Sequence, residues 1–118
     1  MNRVEDLKVY QKSLDLLIAI YDVVKSFPKE EIYALTSQIK RASISVASNI
    51  AEGAGRNNKA EFNQFLGIVI GSCFEINAQI DIALQLQFIS DEIHSNIKIQ
   101  TEEIIKMTYA LQKSLKRQ

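Results

Sequence analysis

Residues 35–55 read LTSQIKRASISVASNIAEGAG, and their spacing decides the fold. Leu35, Ile39, Ala42, Val46, Asn49 and Gly53 recur at alternating steps of four and three, the interval that puts side chains on one face of an α-helix. A second line of small or branched residues, Ile44, Ala47, Ala51 and Ala54, lies to one side of that seam. Such a helix has two faces to bury, more than one neighbouring helix covers. Gly53 and Gly55 are expected to end it, because glycine takes the left-handed conformation that closes a helix at little steric cost.

Upstream, Leu7, Tyr10, Leu14, Leu17, Tyr21 and Val24 mark the apolar face of a first helix that should stop at Phe27-Pro28. Proline lacks an amide hydrogen and disfavours helical geometry in the residue before it, so Lys29, Glu30 and Glu31 are expected to open the next helix. Downstream, Asn58 with Glu61 three residues on resembles a capping box. It starts a third helix running from about Lys59 to about Leu86, near 40 Å at the helical rise. The stretch Phe65-Leu-Gly-Ile-Val-Ile-Gly-Ser-Cys-Phe74 is apolar or small almost all round. It falls short of the roughly 20 residues that span a bilayer, so it reads as a buried middle and no membrane association is expected. Ser90 can cap a last helix seamed by Ile93, Ile97, Ile104, Leu111 and Leu115. Acidic Asp91 and Glu92 at its start and basic Lys113, Lys116 and Arg117 at its end suit the helix dipole.

With one proline and four glycines in 118 residues, little else breaks regular structure. The composition, 47% hydrophobic and 24% charged, is that of one soluble domain spanning residues 1–118. Four helices with short connections pack most economically as an all-α, up-down-up-down antiparallel four-helix bundle. The apolar excess on the second and third helices implies a homo-oligomer, in which another copy of the chain covers what one bundle leaves exposed.

Few residues point to chemistry. A single cysteine, Cys73, and a single histidine, His94, provide neither a disulfide framework nor a spaced metal-ligand set. Fourteen basic residues balance fourteen acidic ones, so no global field draws the chain to nucleic acid or membrane. The start Met1-Asn-Arg-Val-Glu-Asp-Leu-Lys lacks the apolar core of a signal peptide, and the cytoplasm is the expected location. His94 reads as a solvated residue in the first turn of the last helix, and Cys73 as a small core hydrophobe. Gly53-Ala54-Gly55-Arg56 lacks the lysine and hydroxyl residue of a P-loop. Gly67 and Gly71, one turn apart, would let another backbone approach. No catalytic residue, cofactor or metal is expected.

The polar residues are more informative. Gln38, Arg41, Ser45, Ser48 and Glu52 form a stripe along the second helix, Asn49 interrupts its apolar seam, and Glu75 follows the apolar block of the third. Polar groups in a packed seam need partners, so these residues are expected to fix helix register or subunit pairing. Lys40, Arg41, Arg56 and Lys59 are the candidate contacts to an anionic partner such as RNA. Residues 40–59 carry a net charge of +3 and residues 75–103 one of −5, so the neutral chain is polarised.

Several blocks together resemble a known family. They are Asp6-Leu7-Lys8-Val9-Tyr10-Gln11-Lys12, Phe27-Pro28-Lys29-Glu30-Glu31, Leu35-Thr36-Ser37-Gln38-Ile39-Lys40-Arg41-Ala42, Asn49-Ile50-Ala51-Glu52-Gly53 with Gly55-Arg56, and Phe65-Leu66 with Gly71-Ser72 and Glu75. In this order they resemble the bacterial four-helix-bundle proteins called 23S rRNA intervening-sequence proteins, named for open reading frames inside insertions in large-subunit ribosomal RNA genes. The resemblance implies a homopentameric ring, no catalytic residues, and a structural or assembly role for Gln38, Asn49, Glu52, Gly53, Gly71, Ser72 and Glu75. A similar family, the accessory variability proteins of diversity-generating retroelements, forms a strongly basic barrel that associates with nucleic acid and a reverse transcriptase. This chain is neutral, so the resemblance implies a scaffold or accessory protein in an RNA-linked context, binding RNA weakly through a repeated basic patch. The alternative is an oligomeric structural or protein-binding module without nucleic-acid activity.

Overall fold

A computed structural model describes residues 4–116. It contains four α-helices: α1 (Lys8–Val23), α2 (Leu35–Gly55), α3 (Lys59–Gln85) and α4 (Asp91–Lys116). Each helix packs antiparallel on the next, and α1 also meets α4, which closes the four around one core. The α2–α3 contact is the most extensive. The bundle measures 46 × 23 × 20 Å. Arg117, at the basic end foreseen for α4, lies outside the described residues.

The seam of α2 is where its periodicity puts it: Ile39, Ala42, Val46 and Gly53 are buried, with Ile50 beside them. On α3 the line Leu66, Val69, Cys73, Ile76 and Ile80 is fully buried, and on α4 Ile97 and Ile104 complete the interior. By length and composition α3 is apolar enough to cross a membrane, with a mean hydropathy of 1.4 over its best window. Its buried line nevertheless belongs to this chain's own core.

The buried face of α1 differs from the expected one. Val9, Ser13, Leu16, Ile20 and Val24 face the core, whereas Leu14 and Tyr21 are 38% and 37% exposed. The Ser13 hydroxyl donates to the Tyr10 carbonyl at 2.6 Å, and with its polar group satisfied on its own helix, serine packs as a small apolar residue. Ser43 and Thr108 are buried in the same way, donating to the Lys40 and Ile104 carbonyls, whereas buried Thr101 makes its shorter bond across to Asn77 Oδ1 of α3, at 2.5 Å. A reading that counted only apolar residues therefore set the α1 face to one side.

Three helix ends also differ. α1 stops at Val23, and a separate tighter turn, Val24–Ser26, carries the chain to Phe27 and Pro28. Lys29–Glu31 form a separate single turn, and α2 starts only at Leu35. The intervening Ile32 and Tyr33 are 55% and 93% exposed, so no packing offsets the cost of extending a helix through them. The Leu35 amide instead donates to the Glu31 carboxylate at 3.4 Å. At the other end, no described glycine has a positive φ; α2 runs through Gly53 and Gly55, and the chain turns at Arg56 in an extended conformation. Among the described residues the one left-handed residue is Gln87, φ 64°, between α3 and α4. It closes α3 with paired bonds from Phe88 N to Ala83 O at 2.9 Å and from Gln87 N to Leu84 O at 3.0 Å. The two foreseen caps are present: Glu61 N donates to Asn58 Oδ1 at 2.9 Å and Ile93 N to Ser90 Oγ at 3.2 Å.

Gly53 has a packing reason rather than a conformational one. A Cβ there would lie 2.7 Å from the Cβ of Phe65 and 2.9 Å from Cδ1 of Phe62, whereas one at Gly55 would meet nothing within 4 Å. Gly53→Ala should therefore destabilise the fold by about 1–2 kcal/mol, the overpacking strain exceeding alanine's helical advantage. Gly55→Ala should stabilise it by up to about 0.5–1 kcal/mol. Urea unfolding followed by circular dichroism distinguishes the two, and equal shifts would remove the close-contact role of Gly53.

Candidate functional site

Polar residues gather in three groups, two of them drawn from the residues expected to act together. Midway along α2, the Asn49 side-chain amide donates to the Ser45 carbonyl at 2.8 Å and lies 3.0 Å from its hydroxyl. The Ser45 hydroxyl in turn meets that of Ser72 on α3 at 2.8 Å. These small groups let the two helices approach while their hydrogen bonds fix register. Further along the same interface, the Gln79 amide donates to Glu75 at 3.3 Å. Gln38, Arg41 and Ser48 lie on the exposed side of α2.

At the α2–α3 turn, Glu52 receives Arg56 at 3.1 Å, and Glu61 lies 3.6 Å from the same guanidinium. Arg56 also stands over the Phe65 ring at 5.3 Å. Two carboxylates thus offset its charge, and its role here is to hold the turn. Lys40 is sixteen residues away along α2, about 24 Å, with its ammonium 4.8 Å over the Tyr21 ring of α1. Lys40 with Arg41 and Arg56 with Lys59 therefore occupy opposite ends of α2 and form two small sites rather than one patch.

The third group was not foreseen. Asp81 on α3 accepts from His94 Nε2 at 2.8 Å and from Lys98 Nζ at 3.1 Å, both on α4. His94, expected in solvent, is folded against α3, its side chain 20% exposed. Helix periodicity puts residues 94 and 98 on one face, but the meeting with residue 81 depends on how α3 and α4 pack. Hydrogen bonds from His94, then Lys98, hold the Asp81 carboxyl below its usual value. Cys73 is fully buried, and burial pushes its thiol up to about 12, which makes it a core residue without nucleophilic character at neutral pH. Among the described residues, no group of three His, Cys, Asp or Glu side chains could hold a metal ion.

One surface stands apart from these polar clusters. Gly67, Ile68, Gly71, Phe74, Ala78 and Ile82 line the outer side of α3, with Ile44 of α2 also exposed. Ile68, Phe74 and Ile82 are 50%, 55% and 48% exposed. A Cβ at Gly67 or Gly71 would meet nothing within 4 Å, so no helix of this chain makes the close approach that their spacing allows.

A family model described as 23S rRNA-intervening sequence protein matches residues 5–110. Among solved structures, the chain is similar to a protein of unknown function from the S23 ribosomal protein family of Bacteroides thetaiotaomicron. The two are 24% identical with a TM-score of 0.82, over 89% of this chain and 98% of that one, a likeness that shows the fold. No curated protein matches.

The Asp81 cluster carries a pH dependence. A carboxyl with a lowered folded-state value contributes stability above its unfolded value and loses it as pH falls through the folded one. Asp81→Asn should cost stability near pH 6 and progressively less below about pH 4. Urea midpoints measured against pH for both proteins test this, and a constant gap down to pH 2 would show that the clamp is not electrostatic.

Proposed function

The chain belongs to the 23S rRNA-intervening sequence protein family, and from that footing we propose that it is a non-enzymatic, self-associating scaffold or accessory protein working in the cytoplasm. The supporting observation is the outer face of α3, where Ile68, Phe74 and Ile82 stand in solvent around two glycines that no part of the chain uses. Contiguous apolar surface of this kind marks an interaction site, and small residues let a second backbone come close. A second copy of the chain supplies the matching surface, and five copies in a ring is the stoichiometry we propose.

In this reading the exposed polar residues beside the face, Gln38 and Glu75, set the pairing of copies, and Ser72 keeps α3 against α2 within each copy. Asn49 acts through Ser45 on the α2–α3 contact within the chain. RNA is the proposed external partner, met by Lys40 and Arg41 at one end of α2 and by Arg56 and Lys59 at the other. Repetition around a ring gives each weak site a high effective concentration, which is how a neutral chain holds an extended polyanion. The competing reading is an assembly or protein-binding module with no nucleic-acid activity, favoured by the carboxylates that already engage Arg56.

Sedimentation equilibrium at micromolar concentration should give a closed oligomer. Gly71→Glu with Ile68→Glu should reduce it to smaller species of unchanged helix content. A wild-type monomer would sink the assembly. For RNA, replacing Lys40, Arg41, Arg56 and Lys59 with glutamine should flatten the plot of log affinity against log salt by about three, near 0.7–0.9 per phosphate contact. No measurable RNA affinity at low salt would leave the module without nucleic-acid activity as the function.

A further inference from the structure

At the end of the bundle where α1 gives way to α2 lies an open groove of about 550 Å³. Its lining includes three lysines, Lys25, Lys29 and Lys40, and no carboxylate, while Tyr21, Pro28 and Ile32 contribute apolar surface. Ile32 is 55% exposed, an aliphatic side chain held open to solvent at the groove. The lysines are available in different degrees. Lys29 is exposed and makes no ion pair among the described residues. Lys25 is 3.7 Å from Asp22, and both side chains are 79% exposed, a contact that water and salt largely screen. Lys40 rests over Tyr21, which fixes its ammonium at the rim. The acids nearest in sequence do not line the groove: Glu30 is exposed, and Glu31 accepts from the Leu35 amide.

We propose that this groove binds a short acidic peptide segment carrying one aliphatic anchor. The anchor sits on Pro28, Ile32 and the Tyr21 edge, and flanking carboxylates meet the three ammonium groups. Its chemistry fits a peptide better than a nucleic acid. Base stacking needs an open aromatic face, and the exposed ring here already carries the Lys40 ammonium. The remaining surface is largely aliphatic, and no arginine is present to grip a phosphate with two bonds. Charge complementarity around an apolar anchor gives both orientation and affinity, the usual division of labour in such recognition. This site shares Lys40 with the RNA contacts proposed above, whereas Lys29 and Ile32 belong to the groove alone, so changes at those two residues separate the readings.

The test uses the full chain and a fluorescein-labelled, capped peptide, Glu-Glu-Leu-Glu-Glu, titrated by fluorescence anisotropy in low salt. Two companion peptides, one with serine for leucine and one with glutamine for every glutamate, leave the protein untouched and separate the anchor from the charges. The parent peptide should bind, and each companion should bind about tenfold more weakly or worse. Lys29→Gln with Lys40→Gln, and separately Ile32→Ser, should each weaken the parent by a similar factor, while Lys113→Gln with Lys116→Gln should not. Circular dichroism checks that the variants stay helical. Backbone amide shifts should change within residues 21–40. Absence of binding, equal affinity for the serine peptide, indifference to the lysine and isoleucine changes, or shifts centred elsewhere would each overturn the proposal. Displacement of the peptide from these residues by a tighter-binding oligouridylate would reassign the groove to RNA.

Discussion

The approach of α2 to α3 is the constraint on which the rest depends. At one end Gly53 admits Phe62 and Phe65 to distances that a methyl group would close off. Midway, Ser45 and Ser72 meet hydroxyl to hydroxyl. Between these points the buried line of α3 runs along Val46 and Ile50 of α2, and together they form the largest part of the core. The remaining helices complete this pair: α1 brings Leu16 and Ile20, and α4 brings Ile97 and Ile104. The far end is closed by Phe27 and Phe88, their rings 5.6 Å apart, which ties the α1–α2 turn to the α3–α4 turn.

Pulling α2 and α3 together with small and hydroxylic residues has a consequence on the outer side. The inner line of α3 is spent on the core, yet the helix remains apolar on the other side, where Ile68, Phe74 and Ile82 stand exposed along with Gly67 and Gly71. A bundle of one chain needs only one apolar stripe per helix. The second stripe on α3 goes beyond that need, and it is the feature on which the proposed assembly rests.

Charge follows a related logic. The chain is neutral overall, and several of its ions are engaged locally: Arg56 by Glu52 and Glu61, Asp81 by His94 and Lys98, Lys12 by Glu103 at 3.0 Å. These exposed pairs contribute little stability each, but they remove charge from some surfaces and leave it on others. What remains concentrated is the set of lysines around the groove at the α1–α2 turn, where no carboxylate lines the walls. The net charge of the chain conceals that asymmetry.

The sequence by itself determined the four helices and several of their ends, because these are local matters: the spacing in residues 35–53, and Asn58 and Ser90 capping α3 and α4. The α2 seam and the buried middle of α3 were legible for the same reason, since long runs of apolar residues leave one period that fits. The tertiary structure decided which face of α1 turns inward, because Ser13 becomes a core residue only once its hydroxyl is satisfied on its own helix. Tertiary packing also decided that Gly53 is a point of contact rather than a left-handed stop, and that Gln87 takes the left-handed turn instead. It set Lys40 beside Tyr21, Lys25 and Lys29. It joined His94 to Asp81 across two helices. Each of these depends on residues distant in the chain, whose distances are set by how rigid helices pack and not by any period along one of them.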